Sequence, residues 1–312
     1  MAFTMHSHSG QFCPGHAKDQ LEDIVKHAIG LGYTTLGLTE HMPRTAPEDL
    51  YPEELDNPEG SLAELFPRHE AYLLEAQRLQ VKYASQIHIL IGFEGEWPRP
   101  AYASIVTQLA THPGIDYFIG SLHHIDGIPI DYDASYYARA IASAGGSEEL
   151  AAERYYDQQH AMLIALHPRI VGHFDLVRLL SSEPGRDMRT SWPGVWDRVC
   201  RNLRVVAEYG GWLECNSSAL RKGLIEPYPA RPIAEEWLRL GGRFTLSDDS
   251  HGIAQVGTNY SRALEYLASL GVTNLWTLQR DPHPGLSAKG EKAKVVEVAV
   301  LLESIKAVVS KW

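Results

Sequence analysis

Histidine dominates the chemistry open to this chain, with fifteen in 312 residues. Imidazole is the commonest metal ligand and titrates near neutral pH, so the place of each histidine in the fold decides its use. Short apolar runs that read as strands occupy residues 2–6, 34–39, 87–94, 115–122, 170–173, 211–215, 244–247 and 274–277. His6 and His8 close the first as His-x-His, and His41 follows the second in Thr39-Glu40-His41. Glu94 ends the third, His123 the fourth in Ser121-Leu122-His123-His124, and His173 the fifth in Val171-Gly172-His173. Asp249 and His251 follow residues 244–247 as Asp-x-His. Alternate residues of a strand point to the same side, so each x-spaced pair can reach one ion. One strand-end histidine is usually structural. Ligand-type side chains at the ends of strand after strand form a metal-site pattern. Many imidazoles with two carboxylates suit Zn, Fe(II) or Mn better than the all-oxygen cages of Ca or Mg.

Other histidines fall elsewhere. His112 and His167 stand in His-Pro steps before a strand, at the opposite end of any barrel, and read as helix stops. His27, His69 and His160 lie within helical patterns. His88 shares a strand face with Glu94, but six residues separate them by roughly 20 Å. His124 adjoins His123 and should point away from the ions as a support. His283, in the late loop 280–285, has no assigned role.

The elements that must position these ligands alternate. Leu21, Ile24, Val25 and Ala28 mark one helical face within residues 18–31. Similar patterns cover 62–84, 148–166, 195–209, 233–240, 262–270 and 291–309. Strand–helix alternation without a low-complexity linker predicts one α/β, barrel-like domain, whose functional groups gather at the C-terminal ends of its strands. Residues 43–60, 126–144 and 181–194, rich in Pro, Gly and acid, read as loops inserted on that framework.

Composition narrows the function. With 28 Lys+Arg against 39 Asp+Glu, the net charge is −11, which argues against nucleic acid or an anionic membrane as partner. No run approaches a membrane span, and the start lacks a signal-peptide pattern. Cys13, Cys200 and Cys215 are odd in number and widely spaced, as expected of reduced thiols in the cytoplasm. A monomer or a small homo-oligomer is expected.

At its motifs the chain resembles the PHP (polymerase and histidinol phosphatase) superfamily and, within it, the monofunctional histidinol-phosphatases. The resemblance rests on His6-Ser7-His8-Ser9-Gly10, with His16 after Phe12-Cys13-Pro14-Gly15, and on Leu38-Thr39-Glu40-His41-Met42-Pro43. It continues through Gly92-Phe93-Glu94-Gly95-Glu96-Trp97, Ser121-Leu122-His123-His124, Val171-Gly172-His173-Phe174-Asp175-Leu176 and Ser247-Asp248-Asp249-Ser250-His251-Gly252. The ordered set is far more specific than His-x-His alone. It implies a distorted (β/α)7 barrel spanning residues 1–312, with three divalent transition-metal ions at its mouth. His6, His8, Glu94 and Asp249 would hold the first ion, and His16, His41 and His251 the second. Glu94 would bridge to a third, completed by His123 and His173. The implied activity is hydrolysis of L-histidinol phosphate in histidine biosynthesis, with Glu94, Asp249 and His251 at the catalytic centre and metal-activated hydroxide attacking phosphorus.

Three such ions facing two carboxylates and neutral imidazoles leave a well of about +4, matched to a phosphate monoester dianion. Arg178 and Arg221 follow strand ends, and guanidinium at that mouth would clamp phosphate. Histidinol also carries an ammonium and an imidazole, so Glu96, Trp97, Asp131 and Tyr132 are candidates for the substrate end. Glu96 lies two residues past Glu94 on the same strand face. Lys222 reads as solvated. The rival readings are a PHP phosphoesterase acting on nucleotides or DNA ends, and a binding protein that keeps the metals without turnover.

Overall fold

The computed structural model describes residues 1–281 and 294–312; His283 lies outside them. Its strands are β1 (Ala2–Thr4), β2 (Tyr33–Leu38), β3 (His88–Ile91), β4 (Glu94–Glu96), β5 (Ile119–Ser121), β6 (His124–Ile125), β7 (Ile128–Pro129), β8 (Ile170–Val171), β9 (Trp212–Asn216), β10 (Arg243–Ser247), β11 (Asn274–Arg280) and β12 (Val295–Leu301). Its α-helices are α1 (Leu21–Gly30), α2 (Pro58–Lys82), α3 (Tyr102–Ala110), α4 (Ala134–Ser143), α5 (Glu148–Leu166), α6 (Met188–Ser191), α7 (Pro193–Tyr209), α8 (Ser218–Arg221), α9 (Arg231–Arg239), α10 (Tyr260–Ser269) and α11 (Leu302–Val309).

Two parallel sheets, β1-β2-β3 and β10-β9-β8-β5-β4, carry the centre. They meet at both edges. Ser7 bridges Ser250 beyond β1 and β10, and His41 bridges Glu94 beyond β2. Met5 N donates to Leu246 O and Glu94 N to Glu40 O at the same seams. β3 and β4 are one interrupted strand, so seven parallel positions follow one another around a ring, as the (β/α)7 expectation requires. The interior is closely filled. Tyr117 donates to Met5 O at 2.6 Å across it, and a Cβ on Gly37 would lie 2.0 Å from that hydroxyl. Only glycine fits there.

The sequence reading needs correction at several places, among them residues 181–194, read as loop, where α6 forms. Residues 274–280 and 295–301 form an antiparallel hairpin, so the helical pattern over 291–309 holds only for α11 among the described residues. This hairpin caps the N-terminal end of the ring. Arg280 reaches Asp116 and His88, while Arg169 and Arg243 both bind Glu297. The stretch 126–144 is not plain loop. Asp126 and Gly127, with φ of +52° and +77°, make the tight turn between β6 and β7, and α4 follows. Helix α3 was also missed. The His-Pro reading holds at His167, whose φ of +42° ends α5. No described helix is long and apolar enough to cross a membrane. All three cysteines are free.

Candidate metal centre

The ring brings eight of the nine expected ligands into three groups, the first two sharing His8: His6–His8–Asp249, His8–His41–His251 and Glu94–His123–His173. Within each group the ligand atoms lie within 4.8 Å of one another. Glu94 sits at the centre. Its Oε2 is 3.4 Å from His6 Nε2, 3.6 Å from His8 Nε2 and 3.0 Å from His41 Nδ1. Its Oε1 is 3.0 Å from His173 Nε2 and 3.4 Å from His123 Nε2. One carboxylate thus touches five imidazoles, the geometry of a bridging ligand. Asp249 Oδ1 lies 3.4 Å from His8 Nε2 and 3.6 Å from His251 Nδ1. Its other oxygen accepts from Asn216 and Ser218.

Backbone strain accompanies this convergence. His173 and Asp249 have φ of +21° and +48°, a region non-glycine residues rarely enter. Such strain persists only where the surroundings fix it, and it is common at functional sites.

The donor set fits cations. His6 Nε2, both ring nitrogens of His8, Nε2 of His41, and Nδ1 of His123 and His173 are buried without a hydrogen-bond partner. Uncompensated buried nitrogens are costly, and coordination would satisfy those that face the carboxylates, His6 Nε2 and His8 Nε2. Burial, reinforced by the neighbouring His41, pushes His8 down to about 3, so the ring is neutral and one nitrogen keeps a free lone pair. Burial and His8 likewise hold His251 well below its usual value. Burial alone would raise Glu94 and Asp249, but the facing histidines hold both carboxyls well below the carboxylate range.

His16 stands apart from the three groups. Its ring centre is 5.3 Å from that of His41 and 4.9 Å from that of His251. Its Nδ1 is 2.9 Å from Glu53 Oε1, which leaves Nε2 for coordination. A cleft of about 450 Å³ opens over the centre, lined by His16, His41, Glu94, His123, His173, Asp249 and His251 together with Asp131, Tyr132, Arg221, Lys222 and Gln255.

Residues 4–218 match the family model of the PHP domain. The chain belongs to the PHP domain family. It is 41% identical to the probable histidinol-phosphatase of Schizosaccharomyces pombe, over 90% of this chain and 91% of that one. It is 34% identical to the histidinol-phosphatase of Saccharomyces cerevisiae, over 85% and 88%. The solved histidinol phosphate phosphatase of Lactococcus lactis subsp. lactis, complexed with zinc, L-histidinol and phosphate, superposes with a TM-score of 0.65. That match covers 94% of this chain and 98% of the other at 20% identity, and at that level it shows the shared fold.

Around the PHP centre, several side chains depart from the sequence expectations. Arg221 lines the cleft, its Nη1 and Nη2 donating to the carbonyls of Asp248 and Asp249 at 3.0 Å. Arg178 does not line it. It donates to Asp175 and to the carbonyls of Glu226 and Pro227, with its guanidinium 5.1 Å from the Tyr228 ring centre. Glu96 is fully buried instead of standing at the rim. Strand alternation does put it on the side of Glu94, but His41 Nδ1 at 2.9 Å and Arg44 at 3.4 Å cover it. Trp97 turns the opposite way into the apolar core. Asp131 and Tyr132 do stand on the cleft wall.

The supporting carboxylates were missed. Glu214 Oε1 lies 2.8 Å from His6 Nδ1, and its Oε2 accepts from His173 N at 2.9 Å. Its signal was present: a lone acid in the buried strand Trp212-Leu213-Glu214-Cys215-Asn216, where a parallel strand should be apolar on both faces. Glu40 accepts from both N and Oγ of Ser9, fixing the turn after His8.

Proposed function

We propose that this PHP protein hydrolyses L-histidinol phosphate to L-histidinol and phosphate, a step of histidine biosynthesis. The observation that carries the reading is Glu94, set among five imidazoles beneath a cleft that Arg221 lines. The substrate follows from the names of the two yeast relatives, which are matched over most of their length.

The nine ligands would hold three divalent transition-metal ions, of Zn, Fe or Mn type. When bound, they supply an activated water and positive charge for the phosphoryl oxygens. The chain's own residues do the rest. Glu94, Asp249 and His251 hold the reacting centre at the base of the cleft. Arg221, fixed by two carbonyls beside Asp249, offers its remaining N–H groups to phosphate. Asp131 supplies a carboxylate to the substrate ammonium, and Tyr132 an aromatic face beside it.

Net charge −11 supports a small-molecule substrate over nucleic acid. A cytoplasmic enzyme folded as one unit over residues 1–312, monomeric or a small homo-oligomer, completes the proposal. The test is phosphate release from histidinol phosphate, a nucleoside monophosphate and an oligonucleotide, alongside elemental analysis of protein purified without chelator. Turnover of the first substrate alone supports the reading. Preference for either of the others, or no turnover with the metals bound, overturns it.

A further inference from the structure

We propose that residues 44–54 form a latch for the second metal position, with Glu53 and Arg44 as its positioning residues. The inference rests on the metal-centre reading above. Its starting point is the odd status of His16, the one expected ligand that sits in a loop and not at a strand end. Its side chain is 34% exposed, whereas His41 and His251, its partners at the second position, are 7% and 17% exposed. A ligand on a loop keeps rotamer freedom that weakens coordination unless something else removes it.

The latch removes it from two sides. Glu53 holds His16 Nδ1 at 2.9 Å, and a carboxylate on the far nitrogen fixes both tautomer and ring plane. Tyr51 stacks on the same ring, with centres 5.4 Å apart and planes within 4°.

Arg44 then ties this pair to the other side of the second position. Its Nη2 contacts both oxygens of Glu54 at 2.5 and 2.6 Å, and its guanidinium carbon lies 4.3 Å from the Tyr51 ring centre. Tyr51 N also donates to Glu54. Nη1 of Arg44 approaches Glu96 Oε1 at 3.4 Å, the same oxygen that lies 2.9 Å from His41 Nδ1. One buried guanidinium therefore links the support of His16 to the support of His41. The arrangement is poorly explained as packing. Glu53 Oε2 and Arg44 Nε are buried without partners, a cost that a segment selected for stability alone would avoid. These contacts converge on two ligands of one metal position. The latch should set how tightly that position holds its ion, while the others depend on Glu214 and the strand ends.

The experiment measures metal per chain and release kinetics under a mild chelator for the wild-type holoprotein and for Glu53→Ala, Glu53→Gln and Arg44→Lys. Folding is checked by circular dichroism. In Glu53→Ala one equivalent should leave roughly 10–100-fold faster, the others staying, with occupancy restored by excess metal. Glu53→Gln, which keeps an acceptor, should fall between. Arg44→Lys keeps the charge, loses the planar fork, and should speed release of the same equivalent. Release identical to wild type in Glu53→Ala overturns the latch. So does simultaneous loss of all ions from a folded variant, because that marks general collapse. A wild-type protein that binds no metal would instead defeat the metal-centre reading itself.

Discussion

Glu214 Oε1 lies 2.8 Å from His6 Nδ1, with both side chains sealed from solvent, and its other oxygen holds the backbone of His173. One carboxylate on β9 thus orients an expected ligand just beyond β1 and positions another just beyond β8. Glu214→Gln retains the size and one acceptor but loses the charge. It should weaken metal affinity about 10–100-fold, the usual cost of removing a carboxylate behind a ligating histidine. Competition against a metal indicator measures it, and unchanged affinity would remove Glu214 from the site.

Arg221→Ala should weaken inhibition by inorganic phosphate by about 1.5–3 kcal/mol, the range for a charged hydrogen bond, with metal content intact. Arg221→Lys should recover part of the loss. Arg178→Ala should leave phosphate inhibition closer to wild type and instead lower thermal stability, because its donors hold Asp175 and the carbonyls of residues 226 and 227. Phosphate inhibition lost equally in both would return Arg178 to the clamp.

Glu96→Gln should reduce turnover of histidinol phosphate and of an uncharged aryl phosphate by similar factors. Its contacts are His41 and Arg44, which both reactions share. A loss confined to histidinol phosphate would place the carboxylate against the substrate ammonium.

Asp131→Asn should separate the two substrates. The carboxylate faces the cleft, and its charge acts on His123 and His124. Loss of its pairing with an ammonium should cost about 1.5–3 kcal/mol in kcat/KM on histidinol phosphate and little on the aryl phosphate. Parallel changes on both would exclude a role in selectivity.

His69 provides a pH prediction away from the metals. It is buried on α2 against Tyr72 and Phe93, with neither ring nitrogen partnered. Burial, with a smaller contribution from His112, lowers it to about 4. The unfolded chain, with a histidine near 6.5, binds the proton more readily. Its contribution is therefore complete above about pH 6.5 and lost as pH falls towards 4, up to roughly 3 kcal/mol. Urea titrations of wild type and His69→Leu at pH 7.5 and 4.5 should show the variant losing less on acidification. Equal losses would mean that His69 is not held neutral.

Eight of the nine expected ligands were legible because they end or follow apolar strand runs, two pairs of them at spacing two, whereas His16 in its loop came only with the family resemblance. The ring of parallel strands was legible from alternation. What escaped were contacts set by long-range packing. No local pattern shows that Arg44 would cover Glu96, so strand parity gave the correct face but the wrong surroundings. The run at 291–309 mixes two periods, and β12 has little burial to mark it, with Val300 its one buried position. Glu214 announced itself only as an acid out of place, which becomes meaningful once β1 is known to lie nearby.

The seam between β1 and β10 has a consequence for how the molecule is assembled and lost. His6 and His8 come from one extremity of the described barrel sequence and Asp249 and His251 from nearly 250 residues later, yet all four meet at that seam. Closing so long a stretch of chain is entropically expensive and leaves the seam among the late contacts to form. A cation shared by His6, His8 and Asp249 is in effect a reversible cross-link across it. It binds the closed ring and not the open chain, so its binding energy adds to the stability of closure. The same ions that would serve the reaction would also fasten the first strand to the seventh, and a cell short of metal would then hold a less durable barrel as well as an idle one.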